Sequence, residues 1–193
     1  MRAEQMVEPA RKRATYDDLY SIPENMIGEI IDGELFVTPR PAPRHSEAAS
    51  VLGMVIGPPY KLGKDGPGGW VILYEVEIKL AEECNPIVPD FSGWRIERFP
   101  QTIDTNWISV PPDWVCEVLS PGTMRLDRIK KMAKYLKFEV PYVWLIDPIS
   151  RTLEVFRLES GRWVVAGMYS EDDKVRAEPF QEVEIDLASL WMG

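Results

Sequence analysis

Histidine and cysteine are almost missing from this chain. Its 193 residues hold one histidine, His45, and two cysteines, Cys84 and Cys116. That is too few for a disulfide framework or a Cys/His zinc site, and neither cysteine has the nearby histidine that a thiol nucleophile wants. No apolar run approaches the ~20 residues that span a bilayer; the stretch from Val140 to Ile146 is interrupted by Pro141 and Tyr142. The opening MRAEQMVEPARKR lacks the apolar centre of a secretion signal. Together these absences point to a reduced, cytoplasmic protein with no membrane segment. Basic residues are scarce as well. The 22 Lys and Arg stand against 31 Asp and Glu, a formal charge of −9 with a pI near 4.8. This balance opposes non-specific nucleic-acid binding, whose affinity comes from cationic side chains that release counterions. GKDGPGG lacks the spacing of a phosphate-binding P-loop.

What is present is a core. The chain is 45% hydrophobic, with seven Trp, seven Tyr and six Phe, enough for one compact domain over residues 15–193. Residues 1–14, with Arg11, Lys12 and Arg13 and no hydrophobic period, read as a mobile arm. Thr15 and Asp18 carry a capping-box spacing that predicts a short helix through Ser21. MIGEIIDGELFVT reads as a hairpin about the type I′ dipeptide Asp32-Gly33. The proline-rich linker PRPAPRH is extended, and a helix from His45 to Ile56 follows it. GPPYKLGKDGPGG reads as a loop, and WVILYEVEIKL as a strand with Ile72, Tyr74, Val76, Ile78 and Leu80 on one face. IVPDFSGW and DWVCEVLS are further strands, then comes a basic helix from Met124 to Glu139, the buried strand YVWLID, a hairpin from TLEVFRL to RWVVAGMY, and an alternating tail whose LASLWMG offers exposed apolar side chains. The pattern is α+β with a mixed sheet and a hairpin near each end.

Three acids lie where acids are costly. Glu117 interrupts the apolar run VCEVL, Asp90 the run IVPDF and Glu29 the run MIGEII. A carboxylate buried in a strand needs a cation or several hydrogen bonds. Two or three such acids converging from adjacent strands make a sufficient site for a hard divalent cation. At about 100° per residue, Met124, Asp127, Lys131, Tyr135 and Phe138 share one stripe of the basic helix, while Leu126, Ile129, Met132 and Leu136 lie opposite. Lys130, Lys134 and Lys137 form a third, solvated face. Lys131 is thus the base that points inward, with Asp127 as its i,i+4 partner. Each residue also has a structural reading. Glu29 could be a rim residue, Asp90 a turn former, Asp127 and Lys131 a structural ion pair, and His45 a helix-start residue.

The ordered set GEIIDGELFVTPRPAPRH, VPDF, DWVCEVLSPGT and DRIKKMAKYLKFEVPYVWLIDP resembles the Uma-two family of restriction-endonuclease-like proteins in the PD-(D/E)XK nuclease superfamily. The resemblance implies a restriction-endonuclease-like mixed sheet flanked by helices, with Glu29, Asp90 and Glu117 as the acids that hold Mg²⁺ or Mn²⁺. It implies phosphodiester hydrolysis, with DNA as substrate, and a symmetric homodimer would suit cleavage of both strands. The superfamily element is acid, any residue, lysine, but here it is Glu117-Val118-Leu119; in this family the lysine moves to the following helix, as Lys131. Asp127 and His45 become supporting residues, and Lys130, Lys134 and Lys137 candidate nucleic-acid contacts. Glu77-Ile78-Lys79 fits the three-residue element literally but precedes Pro89-Asp90, the wrong chain order. The alternative is a nuclease-fold module that binds nucleic acid or a protein without turnover.

Overall fold

A computed structural model describes residues 13–81 and 85–192. The expected arm therefore lies mostly outside the described residues. Of its last two residues, Ala14 donates its N–H to the Gly33 carbonyl at 2.9 Å. Helix α1 (Tyr16–Leu19) opens on the Thr15/Asp18 capping box, with the Asp18 carboxylate 2.6 Å from the Thr15 N–H. Strands β1 (Met26–Ile31) and β2 (Glu34–Pro39) form the N-terminal hairpin, and Asp32 and Gly33 have φ of 56° and 80°, both left-handed as a type I′ turn demands.

Helix α2 (Pro43–Ile56) starts two residues before the expected boundary. Ala42, immediately before Pro43, is still extended, and Pro43 itself is preorganised for the first turn, where its missing N–H costs nothing. The helix also runs on where a loop was expected. Gly57–Lys61 forms a π turn, closed by the Leu62 N–H on the Gly57 carbonyl at 3.1 Å. Pro58 and Pro59 bring no N–H of their own to a tighter register.

The central sheet has six strands in the order β10-β9-β8-β7-β5-β3. These are β3 (Trp70–Tyr74), β5 (Phe91–Arg95), β7 (Trp114–Val118), β8 (Tyr142–Asp147), β9 (Thr152–Glu159) and β10 (Arg162–Ser170). Only β7 and β8 run parallel; the other neighbours are antiparallel, and β9–β10 is the second hairpin. The expected long strand after Gly69 breaks at Glu75, whose φ of 45° is left-handed and ends the ladder. Its continuation, β4 (Glu77–Ile78), pairs instead with β6 (Trp107–Ile108). As a result Ile72 and Ile78, expected on one face, belong to opposite cores.

Those two cores cover the two faces of the sheet. Trp114, Cys116 and Val118 of β7 face a core built with α2 and the C-terminal segment. Val115 and Leu119 face a second core shared with the N-terminal hairpin and the helix after β7. Period two puts Glu117 on that second face. The helix is a π segment, Leu126–Lys131, continued by α3 (Met132–Lys137). Ile129, read on the side opposite Lys131, is 65% exposed, whereas Leu126 and Met132, read on that same side, are buried. The tail is not a continuing strand: β11 (Lys174–Val175) pairs with β12 (Ile185–Asp186), and a 3₁₀ turn follows over Leu187–Leu190. Leu187 and Leu190, expected as exposed apolar candidates, are fully buried.

Phe180 pins that tail to the sheet, with ring centroids 4.6 Å from Tyr60 and 4.9 Å from both Trp70 and Trp114. Phe180→Ala is expected to cost about 3–5 kcal/mol, measured as a lower urea midpoint at unchanged slope. A shift under about 1 kcal/mol would mean that the tail collapses into the space and does not depend on this ring.

Candidate active site

Sheet register brings the first two acids together. Phe91 pairs with Cys116, so the same register carried back one residue sets Asp90 across from Glu117, on the same face. Asp90 Oδ2 accepts the Val118 N–H at 2.7 Å, and its Oδ1 is 3.1 Å from His45 Nε2 on α2. Glu29 arrives from β1. Its Oε1 accepts the Val88 N–H at 3.0 Å, while Lys131 donates to the carbonyl of the same residue at 3.2 Å. The Val88 peptide thus anchors the hairpin acid and the helix lysine at once.

Lys131 stands at the meeting point. Its Nζ is 3.1 Å from Glu29, 3.2 Å from Glu117 and 3.6 Å from Asp127. Glu117 is 2% and Lys131 3% exposed. Tyr135, fully buried one turn further along α3, donates its hydroxyl to the other oxygen of Glu117. Burial disfavours the ammonium of Lys131, but Glu117, Glu29, Asp127 and Asp90 outweigh it and hold its pKa well above the ordinary value. Burial also pushes Glu117 well above the usual carboxylate range, with Asp127, Asp90 and Glu29 adding to the rise against the pull of Lys131. Asp127 rises for the same first reason. At His45 burial opposes the charge, and the hydrogen bond and charge of Asp90, with Glu75 and Asp127, more than reverse it.

These side chains line one cleft of about 370 Å³, which also takes in Glu75, Arg40, Ser120 and Thr123. The structure gathers Glu29, Asp90, Glu117, Lys131, Asp127 and His45 in one place. Among the described residues, however, no three Asp, Glu, His or Cys side chains stand close enough together to hold a metal ion as arranged. The donor chemistry still fits a hard divalent cation. Five carboxylates, from Glu29, Glu75, Asp90, Glu117 and Asp127, outnumber the cations Lys131 and Arg40 on the cleft wall.

The basic face of the helix needs correction. Lys130 is paired with Glu34 and lies 4.9 Å from the centre of the Phe36 ring, and Lys134 is 2.5 Å from Asp32. The hairpin turn packs across this face and neutralises two of three lysines that were expected to be solvated. Only Lys137 remains an exposed cation, over the Phe138 ring. None of the three lines the cleft. The Glu77/Lys79 pair is also elsewhere: Glu77 accepts from the Tyr16 hydroxyl at 3.0 Å, pushing that phenol up to about 12 after burial, and Lys79 covers Trp107. Glu75 and Arg40 escaped the reading of the sequence, and Tyr135 was placed on the stripe of Lys131 but given no role at the site. Tyr135 had a signal, since Asp127, Lys131 and Tyr135 repeat every four residues.

Residues 13–188 match the model of a family described as "Uma2: Putative restriction endonuclease". The chain belongs to the Uma2 family. A crystal structure titled as a "putative nuclease belonging to DUF820", from Anabaena variabilis, is similar, with a TM-score of 0.71 and 25% identity over 91% of this chain and 96% of that one. No curated protein matches the chain. The Uma2 match and this neighbour agree with the mixed α+β sheet and support a nuclease. Among the described residues no helix is long and apolar enough to cross a membrane.

Removing the ammonium at the centre of this Uma2 site would leave buried acids facing one another. Lys131→Met is expected to destabilise by roughly 3–5 kcal/mol at pH 8. The sign with pH follows from linkage. Glu117 and Asp127 have raised native pKa values, so the folded state keeps protons that the unfolded chain releases as pH rises, and stability from these groups falls with rising pH. The deficit of Lys131→Met should therefore shrink towards pH 5, in melting curves against the parent. A deficit that does not change with pH would show that the acids are not stabilised by Lys131.

Proposed function

We propose that the protein is a divalent-metal-dependent endonuclease that hydrolyses phosphodiester bonds in DNA. The observation that carries this reading is the convergence of Glu29, Asp90, Glu117 and Lys131, from a hairpin, two sheet strands and a helix, in one cleft. Asp90 and Glu117 would hold Mg²⁺ or Mn²⁺, with Glu29 directly or through a water; a bound divalent cation polarises the scissile phosphate and lowers the pKa of an attacking water.

Lys131 acts as a cation and donor, not as a base. Four surrounding carboxylates keep it protonated, so it supplies hydrogen bonds to phosphate oxygens as charge develops on them. Asp127 and Glu29 position its ammonium, and Tyr135 and Lys131 between them occupy both oxygens of Glu117. Arg40 on the cleft wall and, outside the cleft, the exposed Lys137 are two of the cations available to the DNA backbone, and a homodimer would place two clefts on the two strands. The ion pair of Glu117 with Lys131 supports a second reading as well. Strand acids neutralised within the protein are what a nuclease-fold module that binds without turnover would carry.

Calorimetric titration of Mn²⁺ into the parent, Asp90→Ala and Glu117→Ala, followed by nicking of supercoiled DNA in Mn²⁺, separates the two. The expected result is binding in the parent alone, and nicking that falls at least a hundredfold in either variant and in Lys131→Met. A parent that binds no Mn²⁺, with or without DNA, would leave the non-catalytic module.

A further inference from the structure

The site acids share a pattern of support. Each has one oxygen on a fixed donor and the other beside a nitrogen cation or imidazole. Glu29 uses the Val88 N–H and Lys131, and Glu117 uses the Tyr135 hydroxyl and Lys131. Asp90 uses the Val118 N–H at 2.7 Å and His45 Nε2 at 3.1 Å. Lys131 serves the hairpin and strand acids; among the described residues the side chain paired with Asp90 is His45.

His45 is itself tightly fixed. It is 8% exposed, lies in the first turn of α2, and α2 packs against the sheet through the fully or nearly fully buried Ala48, Ala49, Leu52 and Ile56. Its Nδ1 is buried without a hydrogen-bond partner among the described residues. Among the described residues the ring's polar contact is the Asp90 carboxylate.

We infer that His45 is a positioning residue for the nuclease site: its Nε2–H, opposite the Val118 N–H, locks the plane of the Asp90 carboxylate so that the remaining lone pairs face the cleft. This rests on the reading of Asp90 as a cation-holding acid. It adds that α2, which brings no acid to the site, sets the geometry of that acid. In this role the imidazole acts through Asp90.

Because His45 is the only histidine, ¹⁵N-histidine labelling reports one ring. In the metal-free protein a single Nε2–H signal, protected from exchange and losing that protection in Asp90→Ala, is expected. His45→Phe, which keeps the bulk and removes the donor, should weaken Mn²⁺ binding about tenfold to a hundredfold, the usual effect of losing a supporting group. His45→Gln, whose amide can replace Nε2–H, should return affinity to within about threefold of the parent at an unchanged melting temperature. Equal Mn²⁺ affinity in His45→Phe and the parent would overturn the inference while leaving the nuclease reading intact, as would a ring protonated only at Nδ1. Failure of His45→Gln to recover affinity while folded would overturn it too. A parent without Mn²⁺ affinity would instead remove the reading on which it rests.

Discussion

The ammonium of Lys131, buried among carboxylates, is the constraint around which the molecule is arranged. Its neighbours at 3.1, 3.2 and 3.6 Å are Glu29, Glu117 and Asp127, from a hairpin, a sheet strand and a helix. One charge therefore ties together three units that share no ladder. A buried ion pair adds little net stability, because desolvation offsets the attraction, but losing one partner leaves the others stranded. The β1–β2 hairpin is not hydrogen-bonded to the central sheet. It is held by apolar packing of Ile31 and Phe36, by Lys130 and Lys134 on its turn acids, and by Glu29 on the Val88 peptide and Lys131.

The architecture around that charge follows from two local facts. The antiparallel register of β5 on β7 sets Asp90 opposite Glu117, and the parallel step from β7 to β8 requires a crossover, which the helix after Ser120 provides. That crossover lies over the face that Glu117 shares with Val115 and Leu119. An acid on this face of β7 must meet whatever side chain the helix points downward. The widened π turn at Leu126–Lys131 aims Asp127 and Lys131 there together.

Much of this was legible in the chain because it depends on short periods. The alternation of Trp114, Cys116 and Val118 against Val115, Glu117 and Leu119 announces a strand buried on both faces, and the four-residue repeat of Asp127, Lys131 and Tyr135 gives the inward stripe of the helix. What escaped depends on other forces. A π turn and an α turn carry nearly the same composition, so the burial of Leu126 and Met132 beside the exposed Ile129 could not be read from an ideal helical period. The break at Glu75 is a left-handed backbone at a residue with no intrinsic preference for it. The neutralisation of Lys130 and Lys134 by Glu34 and Asp32 joins residues about a hundred positions apart, and no local rule connects them.

The charge of the cleft bears on the order of events in the proposed reaction. Five carboxylates on its wall repel a phosphodiester, and the nearby cations are few: Lys131 already shared among acids, and Arg40. On a surface with a net charge of −9, DNA gains little from counterion release until that negative charge is offset. On the proposed reading, a divalent cation held by these acids would offset it and would release part of the hold of Glu117 on Lys131. Cation and DNA would then bind with positive coupling, and by linkage the coupling would be reciprocal. The proposed site would thereby stay closed to polyanions until its cation is bound.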